Sequence, residues 1–262
     1  MSIQTPAIES LAEALLQAEA KGTPISPLTE AYPDLSSEDA YAVQQIIIQR
    51  RLAAGARIVG KKVGLTSLAM QRMLNVDQPD YGMILDNMLV EDGSALEVAS
   101  LLQPKVEPEI AFRLKKDLSG PGVTVEQVLD ATDYLFPALE IIDSRIRDWK
   151  IKLADTIADN ASSARVVIGE HRVSPRDVDL EKELLVFEKN GEELGRATAD
   201  AVLGNPAKAV AWCANKLSEY GTVLKAGEFV IPGALTGAAP VQAGDTVVAR
   251  FGTVGAVTIR FV

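Results

Sequence analysis

The chain has 262 residues, of which 47% are hydrophobic, and its 26 basic against 36 acidic residues give a net charge of −10. This charge disfavours a nucleic acid or an anionic membrane surface as a partner, and the longest apolar runs are too short to span a bilayer. A single cysteine, Cys213, excludes an internal disulfide, and a single histidine, His171, excludes a multi-histidine metal site. Because the N-terminus lacks the pattern of a signal peptide, we expect a cytoplasmic protein whose chemistry depends on carboxylates, lysines and hydroxyls.

The first part of the chain predicts two helices. Apolar residues recur at helical spacing ahead of the breaker Gly22. A second apolar stripe begins after Ser36, a typical N-cap residue, and ends at Gly55. We interpret residues 1–56 as an N-terminal helical lobe.

The remainder of the chain, residues 57–262, predicts a β-rich catalytic domain made of short apolar runs separated by turn residues. Asn190 and Gly191 predict a tight hairpin, and two further helices are expected after the caps Thr124 and Asn205. Strands and helices do not alternate strictly, which disfavours a doubly wound parallel sheet. The expected class is α+β with a rolled or barrel-like mixed sheet.

The stretch PKVEPEIAF carries two glutamates in an otherwise apolar predicted strand. Glu107 and Glu109 are two residues apart and therefore share one face. Pro108, between them, cannot donate a ladder hydrogen bond and predicts an edge strand, a bulge or the rim of a site. Two such carboxylates repel each other unless a cation lies between them. On this stretch alone, a solvated strand face is the simpler interpretation.

A third carboxylate, Glu140, lies in the apolar stretch PALEIID. Burying three carboxylates together without a cation would be prohibitive, and an oxygen-only ligand set predicts Mg²⁺ or Mn²⁺. An ion pair with the nearby Arg145 is the alternative for Glu140 by itself.

Other polar positions are less specific. In GKKVGLTS, Lys61 and Lys62 lie on opposite faces of a predicted strand, so only one of them can line a site, where it could hold a carboxylate or move a proton. A solvated strand lysine is the alternative. Asp77 and Asp80 in NVDQPDYG, and the polar side chains of DTIADNASS, are turn or cap formers that could also serve a site.

Taken together, these motifs resemble one family along nearly the whole chain. GKKVGLTS, PDYGMILDNM, KVEPEIAF, PALEIIDSRI and DTIADNASS are similar to segments of the 2-hydroxypenta-2,4-dienoate hydratases and 4-oxalocrotonate decarboxylases, within the fumarylacetoacetate hydrolase superfamily. By motif match, the resemblance implies a β-roll with a helical N-terminal portion. It implies Mg²⁺ or Mn²⁺ bound by Glu107, Glu109 and Glu140, with Lys62 and Asp80 in proton transfer. It further implies substrate binding by Leu65, Asn160, Ser162, Arg165 and Gly233.

The resemblance leaves two reactions open. Hydration of 2-hydroxypenta-2,4-dienoate to 4-hydroxy-2-oxopentanoate, in aromatic meta-cleavage catabolism, is the first expectation, because GKKVGLTS and VIPGAL are closer to the hydratases. Decarboxylation of 4-oxalocrotonate is the alternative, because Arg165 in NASSAR could bind a second carboxylate unless it is simply a surface arginine. An acylpyruvate hydrolase is disfavoured because His171 lies in no histidine–glutamate motif. A homo-oligomer, in complex with a pathway neighbour or without one, is also implied.

Overall fold

This computed structural model describes residues 4–67, 71, 76 and 78–262. The α-helices of these residues are α1 (Thr5–Lys21), α2 (Leu28–Ala31), α3 (Ser37–Ala53), α4 (Val125–Ala131), α5 (Leu153–Ala158) and α6 (Pro206–Ser218). The strands are β1 (Ile58–Gly64), β2 (Asp80–Leu85), β3 (Leu89–Glu91), β4 (Ala95–Leu96), β5 (Lys105–Leu114), β6 (Thr132–Ile142), β7 (Ser163–Ile168), β8 (Leu184–Lys189), β9 (Glu192–Thr198), β10 (Phe229–Ile231), β11 (Ala239–Pro240), β12 (Thr246–Phe251) and β13 (Ala256–Phe261).

The predicted helix caps are present. The α1 helix ends at Gly22, which has φ +61°, a conformation that costs glycine little. The Ser36 hydroxyl caps α3 by accepting from the Asp39 backbone N–H at 3.1 Å. The Asn205 side chain caps α6 in the same way, accepting from the Ala207 N–H at 2.9 Å. Each cap satisfies backbone groups that the helix itself leaves without partners.

The larger sheet curls on itself. Its strand order is β2-β1-β10-β5-β6-β7-β3, with β11 added to β5. In a flat sheet β2 and β3 would be roughly 29 Å apart, since strands are spaced by about 4.8 Å. Only the one-turn segment Asp86–Met88 connects them, and its few residues span at most about 15 Å. The sheet must therefore bend until its two ends approach each other.

The smaller sheet has the order β4-β13-β12-β8-β9. Its β8–β9 hairpin turns at Asn190 and Gly191, with φ +56° and +81°, as the Asn-Gly pair predicts. Both sheets contain parallel and antiparallel pairs, which confirms the predicted α+β class with mixed sheets. The curl of the larger sheet does not close into a barrel within the described residues.

The β5 strand, which carries the Glu-Pro-Glu sequence, lies inside the larger sheet, so of the three alternatives the edge strand is excluded and the rim of a site remains. Pro108 is nevertheless tolerated because β10 pairs only with Phe112 and Arg113, and β11 only with Lys105 and Val106. Pro108 falls in the gap between these partners, where its carbonyl accepts from the Leu235 N–H at 3.1 Å. A missing donor therefore costs no ladder bond there.

The two faces of the larger sheet pack into different hydrophobic clusters. Phe112 and Leu139 join the main core, to which Leu11 of α1 and Val43 of α3 also belong. The boundary between lobe and domain at residue 56 stays a prediction. The opposite face carries a smaller apolar cluster, which includes Phe136. Among the described residues, no helix combines the length and the apolar composition needed to cross a bilayer.

Candidate active site

The three glutamates meet on one face of the larger sheet, the face that also carries Phe136. The antiparallel register of β5 and β6 sets Glu107 directly opposite Glu140, and Glu109 opposite Ala138. All three side chains therefore project from the same face. They offer carboxylate oxygens that lie within 4.8 Å of one another, and Glu109 and Glu140 are fully buried.

These carboxylates lack the partners that buried charge requires. Among the described residues, none donates a hydrogen bond to Glu109 Oε1 or to either oxygen of Glu140, although Lys62 Nζ lies 3.1 Å from Glu140 Oε2 as an ion pair. The other oxygen of Glu109 accepts from the Gly233 N–H at 2.6 Å. Orphaned oxygens of this kind are costly, and three carboxylates with unused oxygens are the ligand set that a hard divalent cation prefers. The residues therefore fit a Mg²⁺ or Mn²⁺ ion.

The pKa values of Glu107 and Glu109 are raised mainly by burial and further by repulsion between the carboxylates. Burial raises the pKa of Glu107 to about 7, with Lys62 opposing that shift and Glu140 adding to it. Burial, followed by repulsion from Glu140 and Glu107, raises the pKa of Glu109 well above its ordinary value. Without a cation Glu107 is therefore partly protonated near pH 7, and a bound cation would displace its proton.

The side chain of Lys62 brings a positive charge to this cluster of carboxylates. Its ammonium donates to the Ala161 carbonyl at 3.0 Å besides its contact with Glu140. Burial acts to lower the pKa of Lys62, but the surrounding carboxylates of Glu140 and Asp80 outweigh burial and raise it. The side chain therefore stays charged at neutral pH.

Lys61 points to the other side of the strand, as the alternation predicts. It is buried and pairs with Glu228 at 2.9 Å. Glu228 also accepts from the Lys225 N–H at 3.1 Å, so this ion pair is part of the core rather than of the cavity. Of the two adjacent lysines, only Lys62 borders the cavity.

Asp80 begins β2 opposite Gly64 and is almost fully buried. Its Oδ2 accepts from the Thr156 hydroxyl at 3.3 Å, whereas its Oδ1 has no partner among the described residues. Burial raises the pKa of Asp80, and Lys62 opposes that shift. A Cβ at Gly64 would lie 2.2 Å from Asp80 Oδ1, so only glycine leaves room for this carboxylate.

A left-handed turn follows α5 and supplies one wall of the site. Asn160, Ala161 and Ser162 have φ values of 54°, 51° and 55°, a conformation that costs non-glycine residues about 1–3 kcal/mol each. Asn160 holds the turn against β2, accepting from the Met83 N–H at 2.8 Å and donating to its carbonyl at 2.9 Å. The turn thereby presents the Ala161 carbonyl to Lys62.

A buried arginine supports this turn from behind. Arg145 Nε donates to Asp159 Oδ1 at 2.5 Å, and its other nitrogens donate to the carbonyls of Asp143, Asp159 and Ser163. Arg145 therefore pairs with Asp159 and not with Glu140, which was the alternative considered for Glu140. Burial raises the pKa of Asp159 to about 6, with Arg145 opposing that shift.

The carboxylates, Lys62 and the turn surround a cavity of about 200 Å³. Of the residues predicted to form the site, Lys62, Leu65, Asp80, Glu107, Ser162 and Gly233 border it. Glu109, Glu140 and Asn160 do not border it, although Glu109 and Glu140 cluster with Glu107, which does. Two buried hydroxyls on its wall, those of Ser162 and Thr236, have no partner among the described residues. The cavity is thus polar at one end and short of hydrogen-bond partners, as expected for a site that takes a polar ligand.

Arg165 lies elsewhere. It pairs in register with Ile141, the neighbour of Glu140, so its side chain leaves β7 on the opposite face of the sheet from Glu140. It is half-buried, donates to the Ala164 carbonyl at 2.8 Å and does not border the cavity. His171 is exposed on a loop and Cys213 is buried in α6. Asp77 lies outside the described residues.

Several residues that border the cavity were not predicted from the sequence. Thr156 was noticed only as part of a polar stretch, and Lys105, Trp149 and Thr236 were not considered. Lys105 alone had a usable signal, because it precedes Glu107 by two residues and must share its strand face.

Comparison with known proteins gives concordant results. The model of the fumarylacetoacetate (FAA) hydrolase C-terminal family matches residues 54–262. The chain is 48% identical over 240 residues to 2-hydroxyhexa-2,4-dienoate hydratase from Comamonas testosteroni, covering 91% of each chain. It is 44% identical over 253 residues to 2-keto-4-pentenoate hydratase from Paraburkholderia xenovorans, covering 97% of this chain and 94% of the relative.

A solved structure is also similar throughout. It is 4-oxalocrotonate decarboxylase from Pseudomonas putida G7, complexed with magnesium and adipate. The TM-score is 0.96 at 39% sequence identity, and the match covers 99% of both chains.

Proposed function

The chain belongs to the fumarylacetoacetate hydrolase family, and from that premise we propose that it is a lyase that hydrates 2-hydroxypenta-2,4-dienoate to 4-hydroxy-2-oxopentanoate in a meta-cleavage pathway. The observation that carries this proposal is the cluster of Glu107, Glu109 and Glu140 with unused oxygens, next to Lys62 and Asp80 at one cavity. Hydratases at 48% and 44% identity over more than nine-tenths of the chain support the reaction.

Glu107, Glu109 and Glu140 would hold a divalent ion, Mg²⁺ or Mn²⁺. When bound, such an ion supplies a Lewis acid for a 2-oxo or 2-hydroxy acid, which is worth several kcal/mol of charge stabilisation. The magnesium in the structure of the related decarboxylase supports this choice. The Gly233 N–H fixes the orientation of Glu109 by donating to one of its oxygens and leaves the other for the ion.

Lys62 stabilises negative charge on the substrate. Since its pKa is raised, its Nζ keeps its proton at neutral pH and is suited to donate a hydrogen bond, not to act as a base. Glu140 and the Ala161 carbonyl fix the ammonium at the cavity wall. The positive charge thus lies where the 2-oxygen of the substrate gains electron density.

Asp80 is suited to move the proton. Burial raises its pKa above the ordinary value, which favours proton donation, and among the described residues Oδ1 has no partner to compete with substrate. We assign to Asp80 the transfer of a proton to the terminal carbon of the dienoate, as the 2-hydroxyl proton leaves to solvent, and the removal of a proton from the water that adds at C4. C3 takes up a proton from solvent in the same addition, so that protons balance. The Thr156 hydroxyl donates to Oδ2 and orients the group during both transfers.

Decarboxylation of 4-oxalocrotonate is the second candidate. It is supported by the overall similarity to the decarboxylase, at a TM-score of 0.96. Loss of CO₂ from that substrate and protonation of the dienoate both need negative charge stabilised at the 2-oxygen, so the same residues serve both reactions. What distinguishes the substrates is a second carboxylate at the far end.

The test is the ultraviolet absorbance of 2-hydroxypenta-2,4-dienoate after addition of the protein, with Mg²⁺ and with a chelator, beside a parallel reaction on 4-oxalocrotonate. Magnesium-dependent loss of the dienoate with formation of 4-hydroxy-2-oxopentanoate is expected. Consumption of 4-oxalocrotonate alone, with CO₂ release, would select the second candidate. Turnover that persists after exhaustive chelation would overturn the metal assignment.

We also propose that the protein acts in the cytoplasm as a homo-oligomer, which the family resemblance implies. Light scattering coupled to size-exclusion chromatography measures the number of subunits. A mass of one chain, 28.0 kDa, at assay concentration would contradict the oligomer. Co-purification with the enzyme of the preceding or following step would identify a pathway partner.

A further inference from the structure

The orientation of Asp80 depends on how two segments of the backbone lie relative to each other. Its Oδ2 accepts from the Thr156 hydroxyl at 3.3 Å, a long hydrogen bond that joins the first residue of β2 to the middle of α5. The α5 helix has only six residues, too few to be stable through its own hydrogen bonds. Contacts from outside α5 must therefore hold Thr156 at this distance from Asp80.

The side chain of Gln44, on α3, bridges these two segments. Its Nε2 donates to the Tyr81 carbonyl at 3.0 Å and to the Ile157 carbonyl at 2.9 Å. Tyr81 follows Asp80 in β2, and Ile157 follows Thr156 in α5. One carboxamide thus joins the two backbone positions that come directly after the hydrogen-bonded pair.

The bridge is specific to glutamine. Both acceptors are carbonyls, and among neutral side chains of this length only glutamine offers two N–H donors on one atom. Gln44 is 1% exposed, so water does not compete for these bonds. Tyr41, three residues earlier on the same face of α3, stacks its ring on that of Tyr81 with 4.5 Å between the centroids. Two side chains of α3 therefore fix β2 beside Asp80.

The α5 helix is held on the other side of Thr156 as well. The Thr29 hydroxyl, on α2, donates to Asp155 Oδ2 at 2.8 Å, and the Thr29 N–H donates to Oδ1 at 3.0 Å. Asp155 and Ile157 flank Thr156, so buried hydrogen bonds from α2 and α3 fix the residue before it and the residue after it. The position of the Thr156 hydroxyl is thus set by helices that precede β1.

We propose that Gln44 is a positioning residue for proton transfer: by holding β2 to α5, it keeps the Thr156 hydroxyl on Asp80 Oδ2 and leaves Oδ1 free for the substrate. The inference rests on the proposed function in taking Asp80 as the proton-transfer group. It gives the first helices of the chain a part in the reaction, although no described residue before Lys62 borders the cavity.

The test is a double-mutant cycle between Gln44→Met and Thr156→Val, with kcat measured for hydration of 2-hydroxypenta-2,4-dienoate by the magnesium-loaded protein. Methionine is close to glutamine in size but donates no hydrogen bond. Gln44→Met is expected to lower kcat by about 10- to 100-fold, because a displacement of about 1 Å at the reacting group can cost that much. KM and the affinity for Mg²⁺ should be unchanged, since Gln44 does not border the cavity.

The cycle distinguishes positioning from a general structural role. Thr156→Val should also lower kcat, and the double variant should fall no further than the slower single variant, because both changes break the same contact. Gln45→Met is the matched control, because this neighbouring glutamine of α3 is exposed and should keep wild-type kinetics. Thr29→Val removes only one hydroxyl bond and replaces Gln44→Met in the cycle if that variant does not fold.

Wild-type kcat in folded Gln44→Met would overturn the proposal. Losses that multiply in the double variant would overturn it as well, since Gln44 would then act independently of Thr156. Hydrogen–deuterium exchange tests the bridge without turnover: Gln44→Met should speed exchange in β2 and α5, and Gln45→Met should not. A wild type that hydrates no dienoate would remove the proposed function, while unchanged exchange in Gln44→Met would overturn the bridge itself.

Discussion

Glu107 and Glu140 face each other directly across the β5–β6 ladder, although 33 residues separate them in the chain. Like charges in such opposed positions destabilise a sheet, and here the pair is accompanied by Glu109 on the same face. The arrangement is reasonable only if a cation compensates it. Five testable consequences of this site follow from that requirement and from the contacts around it.

Glu107→Gln is expected to abolish magnesium-dependent turnover and to raise the melting temperature of the metal-free protein. The substitution removes one ligand and also removes a carboxylate that repels its neighbours. Differential scanning calorimetry with and without Mg²⁺ checks both effects, since the wild type should gain stability from the ion and the variant should not. Glu91→Gln, an exposed carboxylate on β3, is the control and should behave as wild type. A variant that keeps full metal-induced stabilisation would contradict the ligand assignment.

The affinity for metal is expected to fall as the pH falls below about 7. Glu107 has its pKa raised to about 7, and a proton on it competes with the ion. Each such carboxylate reduces the apparent affinity by about tenfold per pH unit below its pKa. Titration calorimetry of Mg²⁺ at pH 6, 7 and 8 measures the trend, and a pH-independent affinity would exclude a proton-linked site.

The free energy of unfolding of the metal-free protein, in contrast to its affinity for metal, should increase as the pH falls. The folded-state pKa of Glu107 lies above the unfolded value of 4.5, so the folded state binds the proton more tightly. The contribution of protonated Glu107 to the free energy of unfolding is fully present below pH 4.5 and is lost as the pH rises through about 7. This effect amounts to up to about 3 kcal/mol. Urea unfolding of chelated protein at pH 5.5 and pH 8 tests the sign, and Glu107→Gln should flatten the difference.

Replacing the two adjacent lysines should give different phenotypes. Lys62→Met is expected to lower kcat by about 10² to 10⁴ through the loss of the cation at the cavity. Lys61→Met leaves Glu228 buried without its partner and should cost about 3–5 kcal/mol of stability while folded molecules remain active. Active-site titration combined with thermal unfolding separates the two effects. Equal losses of kcat in the two variants would contradict the assignment of Lys62 to the active site and of Lys61 to a structural ion pair.

Gly64→Ala is expected to inactivate the enzyme. The added methyl group would lie 2.2 Å from Asp80 Oδ1 and must displace the carboxylate from its position opposite Gly64. We expect kcat/KM to fall by at least about 10², the usual contribution of a positioned proton-transfer group. Gly195→Ala on β9 is the control, because its new Cβ would meet only Thr236 Cγ2 at an ordinary 3.7 Å. Wild-type kinetics in Gly64→Ala would remove Asp80 from the proton-transfer role.

Local patterns of the sequence determined much of the fold and part of the site. The caps of the helices, the Asn190–Gly191 turn and the shared face of Glu107 and Glu109 all depend on residues a few positions apart. The opposite directions of Lys61 and Lys62 follow from the same two-residue period. Such features are predictable because backbone geometry fixes them before any tertiary contact forms.

The tertiary structure determined which charged residues lie next to each other. Strand register set Glu140 opposite Glu107, the burial of Asp159 drew Arg145 to it and away from Glu140, and β7 directed Arg165 to the other face of the sheet. Likewise, a strained turn far along the chain brought Trp149 to Lys105, so that a lysine in an ordinary strand position became part of the cavity wall. The physical reason is that a buried charge needs a partner nearby in space. Which groups are close in space depends on the fold and cannot be deduced from their separation in the sequence.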